Sequence, residues 1–215
     1  MLKNYFLTTI FFISVTVLPL MTLVGLYADS FVALFIGSTW GEMVSPLKVL
    51  IIFGIVRSFA SITGYVFWTL GRPKIQTMIS LAQLLLIILC IFPLISKFSI
   101  TGAAWSVTLP LMCTSIISFF LTVKLLRINF DDCLTYFLSP LLALVTLVIA
   151  ISILQALFPN IISIGTFLLN SIFLGFIYLV FLFIFDHFGS GKGRYLMAQL
   201  FEVIKNKWLF TLKIL

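Results

Sequence analysis

Charge is scarce in this chain. Only 9% of its 215 residues are Asp, Glu, Lys or Arg, and just six of them are acidic. A water-soluble globule carries about 25% charged residues to cover its surface, so this is not the composition of a soluble domain. The 62% hydrophobic content excludes a disordered chain and a coiled coil as well. Histidine occurs once, as His187 beside Asp186. There is no HxxxxD acyltransferase pattern, no intramembrane carboxylate pair, no P-loop and no metal-ligand cluster, so the sequence implies no cofactor and reads as a non-enzyme. Cysteine is as sparse: Cys90, Cys113 and Cys133 form no CxxC pair, and the first two lie deep in apolar runs as small hydrophobes. No disulfide framework follows.

What is present is hydrocarbon. Mean hydropathy is +1.28, and the apolar residues come in long continuous runs rather than in the ten-residue alternation of membrane β-strands. A bilayer core about 30 Å thick needs about 20 apolar helical residues. Six runs of that length stand out, at about 6–27, 47–70, 75–94, 103–125, 137–157 and 161–185. The expected fold is all-α: a polytopic bundle of six spans within residues 1–188. A basic tail, 189–215, follows, where Tyr195, Leu196, Leu200, Val203, Ile204 and Trp208 interleave with Lys205 and Lys207. That pattern predicts an interfacial amphipathic helix on an anionic membrane face. Between the first two runs, residues 31–36 and the turn Gly37–Gly41 read as a short interfacial element with Trp40 at headgroup depth.

Orientation follows from the basic residues. With the N-terminus cytoplasmic, the inside segments hold Lys3, Arg72, Lys74, Lys124, Arg127, Lys192, Arg194, Lys205, Lys207 and Lys213. The outside segments hold only Lys48 and Lys97, and Arg57 lies within a span. This bias predicts both termini inside, and it assigns the basic charge to topology rather than to nucleic acid.

Arg57 is the residue that most needs a partner. It sits ten residues into the second run, about 15 Å from its start, where a cation costs a few kcal/mol unless it faces a polar cavity. At helical spacing Gly54, Arg57, Ser61, Gly64 and Trp68 share a face. No acidic residue lies inside any of the six runs, so Arg57 reads either as a contact for an anionic group such as a phosphate or as a structural cation on carbonyls. The third run carries Gln76, Ser80 and Gln83 on one face, which suits either sugar hydroxyls in a wet cavity or helix–helix hydrogen bonding. Gly102, Ala103 and Ala104 allow close packing in the fourth run, where Thr108, Ser115 and Thr122 are expected to satisfy backbone near the kink at Pro110.

Four segments form an ordered set: Leu34-Phe-Ile-Gly-Ser-Thr-Trp40, Pro46-Leu-Lys-Val-Leu50, Leu70-Gly-Arg-Pro-Lys74 and Ile100-Thr-Gly-Ala-Ala-Trp105. Together they resemble the C-terminal portion of Wzx/PST-type polysaccharide flippases, especially the colanic-acid exporter-like branch of the MOP superfamily. The family pattern is an LFG-x-x-W turn, a GRPK-like cytoplasmic loop and a GI-x-GAA helix entry. Here Ile36 precedes the turn glycine, and Ser99-Ile-Thr-Gly-Ala-Ala replaces Gly-Ile-x-Gly-Ala-Ala. The likeness covers roughly residues 5–145 and is loose beyond.

The resemblance implies a bacterial cytoplasmic-membrane protein of two pseudo-symmetric lobes that moves an undecaprenyl-diphosphate-linked oligosaccharide outward. This chain would form only the last six of about 12–14 helices, with the first lobe missing. The family pattern does not itself mark the substrate positions; from their own helical faces, Arg57 is the candidate for the diphosphate and Ser61, Gln76, Ser80 and Gln83 are candidate lining residues. Gly37, Trp40, Gly71, Arg72, Pro73, Lys74 and Gly102–Ala104 would be structural motif positions. The alternatives are another MOP exporter, carrying drugs or a lipid-linked peptidoglycan precursor, a non-transporting assembly subunit, or a polytopic glycan polymerase or acyltransferase. The last conflicts with the short outer loops.

Overall fold

The computed structural model describes residues 2–157 and 164–188, and every regular element among them is helical. In chain order these are α1 (Leu2–Leu26), α2 (Ala28–Phe35), a 3-10 turn (Ser38–Met43), α3 (Val44–Thr69), α4 (Pro73–Leu125), α5 (Phe130–Leu157) and α6 (Ile164–Phe188). Four segments are long and apolar enough to cross a membrane: Leu2–Leu26, Ser38–Thr69, Pro73–Leu125 and Tyr136–Leu154, with Leu169–Phe185 a shorter apolar helix. The tail read as amphipathic, 189–215, lies outside the described residues, as do the side chains of Cys133, Asp186 and His187.

The sequence predicts two separate runs where the structure has the single 53-residue α4. A straight helix of that length would reach about 80 Å, more than twice a bilayer core. It is not straight. Ser99 leaves helical geometry at φ 50 and ψ −128, close to the first central residue of a type II′ turn. The chain doubles back there into two limbs, residues 73–98 and 100–125. Gly102 lies so tightly against the first limb that a Cβ on it would overlap the Leu94 carbonyl. Ala104 is buried and Ala103 half-buried behind it. Because Ser99 occupies a backbone region that glycine enters freely, Ser99→Gly is expected to stabilise the protein by about 1 kcal/mol. A rise in the midpoint of thermal unfolding in detergent checks it.

The α3–α4 connection is equally tight. Leu70 ends α3, Gly71 takes φ 67, and the Arg72 and Gly71 amides donate to the Phe67 and Trp68 carbonyls at 2.9 and 3.0 Å. This is the Schellman arrangement, which satisfies the last carbonyls of α3 and favours glycine at its left-handed position. Pro73 then opens α4, where its missing N–H is not needed. Arg72 and Lys74 stand exposed at this end. At the opposite end Gly37, at φ 113, turns the chain into the 3-10 segment, and Trp40 is exposed.

α3 makes its largest contact with α4, α1 packs on both α3 and α5, and α5 packs on α6. One core joins Phe6, Leu7 and Ile10 of α1 to Ile62 and Val66 of α3. A second is built from Ala143, Leu147 and Ile151 against Leu174, Tyr178 and Leu182, ridges at i, i+4 and i+8 on facing helices. The seam between α3 and the second limb of α4 is polar. Thr63 donates to the Ala60 carbonyl at 2.7 Å, which leaves Ser118 to donate to Thr63 Oγ1 at 2.6 Å. The first limb contributes no buried residue at all, and Phe92 on it is 84% exposed.

Candidate functional site

A cavity of about 230 Å³ opens between α3 and the two limbs of α4. From α3 it takes Arg57, Ser61, Gly64, Tyr65 and Trp68. These recur every three or four residues, so a single helical face supplies them. From the first limb come Gln76, Ile79 and Gln83, and from the second Leu111, Thr114, Ser115 and Ser118. The reversal at Ser99 sets this pairing: Gln83 and Ser115 lie equally far along the chain on either side of it.

Arg57 occupies the middle of α3, about 20 Å from Val44 and 18 Å from Thr69 along the helix. It is exposed, as are Ser61, Tyr65 and Trp68, and it has no hydrogen-bond or ion-pair partner among the described residues. An ion pair from Lys48 Nζ to Asp29 Oδ2, at 3.0 Å, lies toward the start of α3, away from Arg57. The guanidinium therefore presents unused donors to the cavity. Two oxygens on lining residues, Gln76 Oε1 and Ser115 Oγ, are buried without a hydrogen-bond partner. Gly64 makes room for the first, since a Cβ there would stand 3.3 Å from Gln76 Oε1. The cavity thus offers an exposed positive charge bordered by amide and hydroxyl side chains, a lining that suits an anion carrying neighbouring hydroxyl groups.

Of the residues predicted from sequence, Arg57, Ser61, Gln76 and Gln83 come together here. Ser80 does not line the cavity but accepts from Gln76 Nε2 at 3.4 Å. Gly54 leaves the predicted stripe and packs against Met21 of α1. Thr108 and Thr122 donate to the Ala104 and Ser118 carbonyls, as expected for hydroxyls satisfying helix backbone. Ser115 departs from that expectation and is a cavity residue. Tyr65, whose ring meets Trp68 edge-on at 6.5 Å, was legible only as the neighbour of the stripe. Among the described residues no three His, Cys, Asp or Glu side chains gather to hold a metal. The chain matches no protein-family model, no curated protein and no solved structure.

Proposed function

We propose that this chain is the C-terminal part of a flippase that moves undecaprenyl-diphosphate-linked oligosaccharide across the bacterial cytoplasmic membrane. It crosses six times with both termini inside, the two limbs of α4 counting as separate crossings. A second lobe, on the same polypeptide or a separate subunit, faces the α3–α4 cavity. Arg57 binds the diphosphate, and Gln76, Gln83 and Ser61 take sugar hydroxyls along the path, with Ser80 orienting Gln76. The basic turn at Arg72 and Lys74 and the basic tail rest on anionic lipid.

The observation that carries this reading is the unpartnered, exposed Arg57 at mid-helix. A cation at membrane depth must face water or protein rather than lipid, so the open side of the cavity is the wall of a lumen. Unpaired acceptors beside it suit a ligand that brings its own hydroxyls.

The test is a Ser61→Cys variant in the complete transporter, with Cys90, Cys113 and Cys133 replaced by serine. A membrane-impermeant thiol reagent is expected to label position 61 and to stop surface glycan export. Added lipid-linked oligosaccharide is expected to slow labelling. Labelling unaffected by that lipid removes the substrate assignment, and protection by a lipid-linked peptidoglycan precursor alone moves the chain to that branch.

A further inference from the structure

The other side of the α3–α4 seam holds a second, differently built space. Ile55, Val56 and Phe59 of α3 face Met112, Ile116 and Phe119 of the second α4 limb across an apolar cavity of about 320 Å³. One turn toward the start of α3 lies another of about 580 Å³, lined by Glu42, Ser45, Lys48, Ile52, Thr101 and Trp105. Ile52 and Val56 are one turn apart on the same face, so the two spaces, which share no lining residue, lie in line as the two halves of a trough along a single helix pair. Rings close its deep end: Phe59 meets Phe137 at 5.5 Å, and Phe119 meets Phe6 at 6.4 Å. Ala60 and Ser115 line both this space and the Arg57 cavity, and the hydrogen-bonded Thr63 and Ser118 stand one on each side of the boundary.

Three properties of the trough define its occupant. From Ser45 to Phe59 it runs about 21 Å along α3, which equals half of a bilayer about 40–45 Å thick with its headgroups. Its polarity falls in one direction, from charged and hydroxyl groups to aliphatic and aromatic ones. Its polar end carries both signs of charge: the Lys48 ammonium donates one hydrogen bond to Asp29 and keeps two more donors, and Glu42 has no partner among the described residues. Trp105 stands between the polar and apolar parts, where an indole suits the ester region of a lipid.

We propose that this trough is a binding site for one membrane glycerophospholipid with a zwitterionic amine headgroup. The phosphate sits at Lys48, the ammonium at Glu42, and an acyl chain runs along Ile52, Val56 and Met112 to the Phe59 and Phe119 floor. The site does not depend on the flippase reading. It requires only that the Ser45–Thr101 end lies at one membrane surface.

The full chain with Trp40, Trp68 and Trp208 replaced by phenylalanine keeps Trp105 as its single indole. Reconstituted in vesicles of phosphatidylglycerol, its fluorescence is titrated with chain-brominated phosphatidylethanolamine or chain-brominated phosphatidylglycerol. Half-quenching is expected at a mole fraction about fivefold lower for the ethanolamine lipid, the scale of an exposed ion pair. Glu42→Gln, at an exposed position, is expected to abolish that difference while leaving the phosphatidylglycerol curve in place. Identical curves for the two lipids in the unsubstituted site, which describe unselective annular lipid, overturn the proposal. Absence of quenching by either, which places protein over the trough, overturns it too.

Discussion

Gly102→Ala is expected to remove most of the protein from the membrane. The added methyl would occupy the position of the Leu94 carbonyl and crowd the Ile95 amide. Neither is the far end of a side chain that can rotate away, so the limbs of α4 must separate at their tip. Overpacking within a helix pair costs about 1–3 kcal/mol even where side chains can yield, and here the obstacle is backbone. A loss of that size changes cellular abundance several-fold. Gly175→Ala provides the comparison, since a Cβ at Gly175 meets nothing within 4 Å. Immunoblots of isolated membranes are expected to show Gly175→Ala near the unsubstituted level and Gly102→Ala at a small fraction of it. Equal amounts of both would mean that the limbs are not packed as described.

If the chain belongs to a glycan flippase as proposed, Arg57→Ala is expected to abolish surface glycan export in the complete transporter while leaving membrane abundance intact. The exposed residue makes no hydrogen bond or ion pair among the described residues that its removal would strand, so stability has little to lose. The proposed ligand phosphate would lose a charge-assisted hydrogen bond worth about 1.5–3 kcal/mol, a fall of roughly tenfold or more in productive binding. Arg57→Lys retains the charge but not the planar fork, and intermediate export is expected. Glycan staining of whole cells, normalised to membrane abundance, separates the outcomes. Normal export removes Arg57 from the mechanism, whereas lost abundance makes it a structural cation.

The helices were legible because their signal is local. The apolar run at 47–70 became α3 (Val44–Thr69), and the stripe of Arg57, Ser61, Gly64 and Trp68 survived as one wall of the cavity because helical period alone decides it. Gln76 and Gln83 were readable for the same reason. Partners that period cannot supply were missed. Ser115 and Ser118 enter the cavity only because the chain turns back at Ser99, and the register of that return depends on a backbone conformation at one residue. Gly54 lay on the predicted stripe but was claimed by Met21, a contact set by how α1 crosses α3. Lys48, Thr101 and Trp105 fall in two of the four ordered segments, but the trough itself was not legible, since only the fold brings residues 42–59 beside residues 101–120.

The first limb of α4 is pinned at both ends, by Leu70–Arg72 on one side and by the Ser99–Gly102 reversal on the other, and nothing is buried between. Such a wall cannot swing outward like a door. Gln76 lies four residues from the Arg72 anchor and packs against Gly64, so that end of the cavity is the more firmly held. Gln83, close to the limb's midpoint, sits where a rod held at both ends bows most easily.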